Sequence, residues 1–204
     1  SGTIKDGKAS AGGNIYIDGV CDMTMTGGVI ENTKTDICSA FVSNQETSIE
    51  LLGGTIEVDL DTHPTRFESL FCGTAVIGKD MNIVGRDGAC FIMLGDDKYT
   101  MNIDGKVSGE GIMWLMHSAP ITGNGTITSD VLVKTYGYYP NPQVVLAGAK
   151  WNCLITVDSV DSAASLTVKP GATVSNGLVR VLESVASGDY TNATEAAAGQ
   201  AASY

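Results

Sequence analysis

The sequence is short of positive charge and of histidine, and both shortages limit what the protein can bind. Acidic residues outnumber basic ones 23 to 12, which gives a net charge of −11 at pH 7 and a pI near 4.4. A surface of this sign repels phosphate backbones and anionic lipid, so we expect no nucleic-acid partner and no membrane insertion. With two histidines and no Cys-x-x-Cys pair, the ligand spacing of a structural zinc site is missing as well.

Long hydrophobic runs and long helical patterns are also missing. No stretch of 18 apolar residues occurs, so no membrane span is expected, and the first residues carry no apolar signal-peptide core. Short runs rich in Val, Ile, Thr, Met and Leu alternate in polarity instead, with Gly, Asn, Asp and Ser between them. These patterns predict an all-β chain, and its 204 residues suffice for a sizeable core.

The five cysteines are an odd number, so at least one thiol is unpaired within the chain. The sequence separations of Cys21 from Cys38 and of Cys72 from Cys90 would permit two disulfides in an oxidising compartment. Cysteine is also among the most frequently buried residue types, and we favour the interpretation that these thiols are small core residues. The disulfide pairing stays open.

A repeated phrase of strand, glycine corner and strand is the strongest signal in the sequence. The segment "MTMTGGVIEN" (Met23–Asn32) is followed 26 residues later by "IELLGGTIEV" (Ile49–Val58), and "SGTIKD" stands 26 residues before it. Taking the glycine after each short strand as a marker gives intervals of 26, 26, 31, 20, 20, 23 and 23 residues between Gly2, Gly28, Gly54, Gly85, Gly105, Gly125, Gly148 and Gly171.

The first repeats match in side-chain identity as well as in length. In an antiparallel sandwich, consecutive hairpins have no reason to repeat identity at a fixed offset. In stacked parallel coils, equivalent inward residues lie about 4.8 Å apart, so like side chains pack best on like. Stacked coils are therefore favoured over the alternative, an antiparallel β-sandwich, because Ile4 aligns with Ile30 and Ile56, Ile15 with Phe41, and Met23 and Met25 with Ile49 and Leu51.

The pattern "GTIKDG…GGNIYIDG…MTMTGGVIEN" resembles the repeats of the pectate-lyase-like superfamily of right-handed parallel β-helices. It is more similar still to glycine-rich repeats of large bacterial cell-surface and secreted proteins, and the resemblance covers about the first 60 residues. We therefore predict a single-stranded right-handed parallel β-helix of about eight coils over residues 1–185. Residues 186–204 form a polar, Ala-rich tail, which we interpret as a linker or the start of further structure. Neither end resembles a cap, so we expect a segment of a longer protein or ends that associate with other copies.

One strand carries a row of acids. In "TIEVDLDTH", Glu57, Asp59 and Asp61 alternate with apolar residues, so the three carboxylates share one face and form a candidate calcium site. In the polysaccharide lyases of the superfamily that the chain resembles, calcium-binding acids lie on an outer wall and a basic residue abstracts the substrate proton. Arg66 is the nearest basic residue here, but no lyase motif matches residue by residue. We favour the plainer interpretation of a solvated strand face.

An aromatic loop is the other irregular segment. "KTYGYYPNPQ" contains Tyr136, Tyr138 and Tyr139, and aromatic rings stack on the apolar faces of sugars. The alternative, which we favour, is an ordinary packed or surface loop. Trp114 and Trp151 both fall in predicted strands and are interpreted as core or wall residues.

The leading functional hypothesis is a non-enzymatic scaffold or adhesin segment of a bacterial surface protein, secreted or exposed at the cell surface. It rests on the repeat, the acidic surface and the lack of a recognisable catalytic motif. The second hypothesis is a carbohydrate-active enzyme, a polysaccharide lyase or glycoside hydrolase, and the third is a carbohydrate-binding module. The expected partners are a polysaccharide, a host surface or another copy of the chain, and calcium is the one cofactor considered.

Overall fold

Strands make up all of the regular structure in the described part of the chain. The computed structural model describes residues 1–7, 14–17, 20–31, 41–43, 48–58, 69–72, 74–85, 90–95, 100–117, 119–134, 141–159, 163–174, 178–184, 191–197 and 202–203. The strands are β1 (Thr3–Lys5), β2 (Ile15–Ile17), β3 (Asp22–Met25), β4 (Val29–Glu31), β5 (Phe41–Ser43), β6 (Ser48–Val58), β7 (Ser69–Cys72), β8 (Thr74–Gly85), β9 (Cys90–Gly95), β10 (Met101–Ile103), β11 (Lys106–Gly109), β12 (Ile112–His117), β13 (Pro120–Thr122), β14 (Thr126–Ile127), β15 (Val131–Lys134), β16 (Gln143–Leu146), β17 (Lys150–Trp151), β18 (Ile155–Ser159), β19 (Ser165–Val168), β20 (Thr173–Val174), β21 (Leu178–Ser184), β22 (Thr191–Ala197) and β23 (Ala202–Ser203).

Each coil of the chain contributes to three walls. Wall A stacks β3, the first half of β6, the first half of β8, β10, β13, β16 and β19. Wall B stacks β1, β4, the second halves of β6 and β8, β11, β14, β17 and β20. Wall C stacks β2, β5, β7, β9, β12, β15, β18 and β21. Because β6 and β8 run through both walls A and B, those two walls form one continuous sheet.

The pairing within these stacks is parallel throughout, which confirms the predicted solenoid and excludes the antiparallel sandwich. The two antiparallel pairs join β22 to β21 and β23 to β19 in the tail, within the part of the chain that the structure describes. Walls B and C each stack eight parallel strands, and wall A stacks seven. The number of coils counted from the strands is therefore close to the eight that the sequence predicted.

The solenoid is held together by columns of like residues that point into its interior. Register partners confirm the alignments predicted for the first coils, including Ile15 with Phe41 and Met25 with Leu51. From its second member onward, each residue of the wall B column is at most 2% exposed, so apolar burial runs the length of the stack. The column consists of Ile4, Ile30, Ile56, Ile83, Val107, Ile127, Trp151 and Val174.

The segment "MTMT" follows the inward–outward alternation of a wall strand. Met25 is buried and Met23 packs partly buried against the core, whereas Thr24 and Thr26 are exposed. The glycine pair that follows is the corner between walls A and B. Thr24 and Thr26 therefore belong to the outer surface, and the two methionines belong to the interior columns.

The glycine markers need one correction. Register pairs Gly54 with Met81, whereas Gly85 pairs with Val58 and Gly109 and therefore lies four residues beyond the equivalent corner. Equivalent wall B residues are 26, 26, 27, 24, 20, 24 and 23 apart, so the apparent 31-residue interval came from choosing the wrong glycine. The corner at Met81 carries no glycine, although β8 passes through it as one continuous strand just as β6 passes through Gly54.

The tail adds strands that the sequence did not predict. Strand β22 pairs antiparallel with β21 at the end of wall C, and β23 pairs antiparallel with β19 at the end of wall A. Both occupy strand edges that would otherwise present unpaired N–H and C=O groups. The domain boundary at residue 185 stays a prediction.

Gly54 and Gly27, which take different positions in neighbouring corners, differ in how much room they leave for a side chain. Gly54 has φ of 111°, and a Cβ there would lie 2.6 Å from the carbonyl oxygen of Gly28 and 2.8 Å from Cε of Met25. Around Gly27 a Cβ would meet nothing within 4 Å. Stacking at the coil spacing therefore requires glycine at position 54 and not at position 27.

We predict that Gly54→Ala lowers the free energy of unfolding by about 1–3 kcal/mol, because alanine is strained at this φ and meets the backbone of the preceding coil. The matched change Gly27→Ala should stay within about 0.5 kcal/mol of the parent protein. Urea denaturation followed by circular dichroism measures both. Equal effects at the two positions would contradict the stacking explanation.

Candidate functional site

The outer face of wall C brings an aromatic residue and several charged residues into two adjacent columns, here called the wall C patch. Met113 and Leu115 are buried, so the residues that alternate with them face outward. One column of the patch is Trp114, Leu132, Thr156 and Arg180, and the neighbouring column contains Lys134 and Asp158.

Lys134 and Asp158 form an ion pair across two successive coils. Lys134 Nζ lies 2.9 Å from Asp158 Oδ2, and the two side chains are 39% and 15% exposed. The residues are register partners in β15 and β18, so the parallel pairing places them one coil apart. A partly exposed pair of this kind contributes about 0–1 kcal/mol to stability, so its main effect is to fix the positions of the two charged groups.

Trp114 connects the two columns of the patch. Its indole Nε1 donates a hydrogen bond of 2.9 Å to the backbone carbonyl oxygen of Lys134, which lies on the next coil. This bond satisfies the one polar atom of the indole ring, and the side chain is half-buried. The patch therefore presents an apolar ring beside an ion pair and a hydroxyl group, a combination that suits sugars better than fully apolar ligands.

The predicted calcium site is described only at its first residue. Glu57 lies near the end of β6 on wall B, in register with Glu31 on the preceding coil and Val84 on the next. Asp59 and Asp61 lie outside the described residues, so calcium binding stays a prediction. Within the described ranges, no three His, Cys, Asp or Glu side chains are grouped so as to hold a metal ion.

The column that contains Glu57 begins with an ion pair. Lys5 Nζ lies 3.7 Å from Glu31 Oε1, and Glu31 is the register partner of Lys5. The outer face of wall B at this end therefore carries charges of both signs, and the interpretation of a solvated strand face for Glu57 stays a prediction. Arg66, considered as a lyase base, lies outside the described residues.

The tyrosine loop lies outside the described residues, including Tyr136, Tyr138 and Tyr139. Its flanking residues are Lys134, at the end of β15, and Asn141, just before β16. Glu57 belongs to β6, and three coil steps separate β6 from β14, the strand that precedes β15. The two predicted sites therefore begin about 14 Å apart along the axis and do not share one groove at their described ends.

Cys153 is an interior residue and not a reactive thiol. It is 5% exposed at the corner between walls B and C, and burial, reinforced by the charge of Asp130, raises the pKa of its thiol from 9.0 to about 12. Such a group stays protonated at neutral pH and is a poor nucleophile. The interpretation of cysteines as buried residues is confirmed for Cys153 and wrong for Cys21, which is an exposed free thiol.

Sequence reasoning singled out neither Lys134 nor Asp158, although a signal was present. The segments "VLVK" and "ITVD" begin 24 residues apart in the sequence. Each ends its apolar alternation with a charged residue, and the two charges have opposite signs. Aligning these two strands by their inward valines would have placed the charges one coil apart. Side-chain identity, which revealed the first repeats, is lost at these positions.

No protein family, no curated protein and no solved structure matches this chain. The structure shows no helix, in the part of the chain that it describes, with the length and apolar character to cross a membrane.

We predict that Cys153 makes the protein less stable at alkaline pH. The unfolded thiol ionises near 9.0 and the folded thiol near 12, so the folded state binds more protons in this range and loses stability as pH rises. Below pH 9 the thiol is mostly protonated in both the folded and the unfolded state, so its contribution to the pH dependence of stability vanishes. The unfolding free energy of the parent protein relative to Cys153→Ala should fall by about 1.4 kcal/mol between pH 8 and pH 10.

The control for this experiment is Cys21→Ala, which removes an exposed thiol. Its difference from the parent protein gives, at each pH, the effect of removing a solvent-exposed thiol. Chemical denaturation in reductant at each pH gives both differences. A pH-independent difference for Cys153→Ala would show that this thiol ionises equally in the folded and unfolded chain.

Proposed function

We propose that this chain is a non-enzymatic scaffold segment of a secreted or cell-surface protein of bacterial origin. The proposal includes kinship with the glycine-rich β-helix repeats of bacterial surface proteins, as the first 60 residues suggest. In this role the solenoid holds binding regions at a fixed distance or presents its outer faces to a polysaccharide or a host surface.

The observation that carries the proposal is the unbroken interior column of wall B. From Ile30 to Val174 each member is at most 2% exposed, and each rests on an equivalent residue of the preceding coil. Ser129 is the one buried polar or charged side chain among the described residues, and its hydroxyl donates to the Gly109 carbonyl oxygen at 3.3 Å. An interior of this kind supports stiffness and supplies no chemistry.

The cavities described in the structure fit the same role. One of them, about 380 Å³, lies at the first coils and is lined by residues such as Ile4, Ile15 and Met23. It is where the apolar interior meets the end of the stack, and none of its lining residues carries an ionisable side chain. Catalytic pockets combine concavity with a few convergent and often ionisable polar groups, whereas the polar side chains that line this cavity are all threonines.

The first test of the scaffold proposal is an assay for turnover. We expect no unsaturated or reducing products from pectin, alginate or related polysaccharides, with or without calcium. If product forms and is lost in Asp59→Ala or Asp61→Ala, the chain is a polysaccharide lyase or glycoside hydrolase and the scaffold proposal is wrong. Glu50→Ala is the matched control, because Glu50 is an exposed acid in β6 on the neighbouring wall A.

A second candidate function, carbohydrate binding without turnover, is favoured by the wall C patch. The half-buried indole of Trp114 lies beside the Lys134–Asp158 pair, and the tyrosine loop begins directly after Lys134. Aromatic rings contact the apolar faces of sugars, and fixed charged groups bind their hydroxyls. A sugar chain lying along the axis would meet groups from several coils at once.

Affinity electrophoresis in polysaccharide-containing gels tests this second candidate. If the patch and its loop bind sugar, Trp114→Ala and Tyr138→Ala should each weaken retardation about tenfold, as expected for the loss of an aromatic contact of roughly 1.4 kcal/mol. Tyr16→Ala is the matched control, since Tyr16 is an exposed aromatic on the first strand of the same wall. Equal retardation of all variants, or none for the parent protein, would exclude a binding role for the patch.

A further inference from the structure

The corner between β13 and β14 contains a sequence with its own chemical reactivity. Asn124 is exposed and is followed by Gly125, so no side chain shields the peptide nitrogen after the asparagine. In a flexible chain, that nitrogen attacks the side-chain amide of the preceding asparagine. Asn124–Gly125 is therefore the kind of pair at which proteins lose an amide group with age.

The reaction balances with water as its one co-reactant. The Gly125 nitrogen loses its proton and forms a bond to Cγ of Asn124, while the Cγ–Nδ2 bond breaks and ammonia leaves with that proton. The cyclic imide then adds water and opens to aspartate or isoaspartate. The net change replaces an amide by a carboxyl group and releases ammonia.

The first step needs a peptide nitrogen that makes no hydrogen bond, and in the structure the Gly125 nitrogen is hydrogen-bonded. The Gly125 N–H donates a hydrogen bond of 2.8 Å to the carbonyl oxygen of Ile103 on the preceding coil. Attack on Cγ would require the nitrogen to give up this bond and its proton. Because an unpaired buried carbonyl would be left behind, the fold opposes the reaction at its first atom.

Asp104 holds the other reacting group. Its Oδ1 accepts hydrogen bonds from the backbone N–H of Asn124 at 2.8 Å and from Asn124 Nδ2 at 3.3 Å. The leaving amide is thus tied to a carboxylate on the preceding coil, and the side chain cannot turn freely toward its own C-terminal peptide. Bonds to an ionised acceptor are roughly twice as strong as neutral ones.

Packing at Gly125 prevents the backbone from adjusting to form the ring. Gly125 is buried, and a Cβ built on it would meet the carbonyl oxygens of Gly105 and Ile103 and the backbone of Asp104. The next residue is also fixed, since the Thr126 N–H donates to the Gly105 carbonyl oxygen at 3.0 Å. Closing a five-membered imide would move this segment against the coil beneath it.

We propose that Asn124–Gly125 is a latent deamidation site that Asp104 and the backbone of the preceding coil hold unreactive. The site is independent of the scaffold proposal, although resistance to chemical ageing suits a protein that is not rapidly replaced. Loss of Asp104 would convert the corner into a slow modification site without altering the interior columns.

Peptide mapping by mass spectrometry after long incubation at mildly alkaline pH tests the proposal. In the folded parent protein, deamidation at Asn124 should be at least about tenfold slower than in the same chain unfolded in urea, as expected for hydrogen bonds to a charged acceptor. In Asp104→Ala the folded rate should rise about tenfold, and in Asp104→Glu, which keeps a carboxylate acceptor on this corner, it should stay low.

Asp130→Ala is the matched control. Asp130 Oδ1 accepts a hydrogen bond from the Leu154 backbone N–H at 3.1 Å, so this variant also removes a corner carboxylate that binds the next coil, away from Asn124. Its Asn124 rate should equal that of the parent protein. Equal rates in the folded and unfolded parent chain, no increase in Asp104→Ala, or the same increase in Asp130→Ala would each overturn the proposal. If Asp104→Ala unfolds, the comparison of folded Asp104→Glu with the urea-unfolded chain decides.

Discussion

The coil-to-coil spacing of about 4.8 Å is the constraint on which the rest of the structure depends. At this distance a side chain in the interior touches its equivalents above and below, so each coil must offer a shape that the next can accept. The wall B column meets this demand with isoleucine, or valine at Val107, until Trp151 takes the position. The indole fits because its Nε1 donates to the Gly148 carbonyl oxygen at 2.9 Å, which satisfies the one polar atom of this buried ring.

Corners must also stack at the coil spacing, but there the chain turns and its backbone N–H groups leave the hydrogen bonding of the parallel strands. The freed backbone N–H groups are bound by short acidic or amide side chains of the preceding coil. Asp104 binds the N–H of Asn124, Asp130 binds that of Leu154, and Asn141 Oδ1 accepts from Ala163 at 2.9 Å. These residues look like ordinary turn formers in the sequence, but each connects two coils and keeps a corner hydrogen-bonded.

The sequence predicted the fold where equivalent residues keep their identity and failed where they do not. Ile4, Ile30 and Ile56 reveal the repeat because interior packing selects the same side chain each time. Beyond β6 the interior accepts Met, Val or Trp as well, so the next corner could not be assigned to Met81 from identity alone. The wall C patch was missed for a related reason: outward residues are not selected by packing, and an ion pair places unlike residues at equivalent positions.

This division between inward and outward positions determines where a function can arise. Interior columns are fixed by stacking, so changes there cost stability, whereas outward columns can change while the solenoid is kept. Recognition by such a chain would therefore come from residues that register across coils, as Trp114, Lys134 and Asp158 do, and not from a single enclosed pocket. A partner that binds residues of several coils must itself be extended, because equivalent outward residues follow each other at one per coil along the solenoid axis. In the proposed scaffold role, an elongated polymer or a flat surface would satisfy that requirement, whereas a small compact ligand would not.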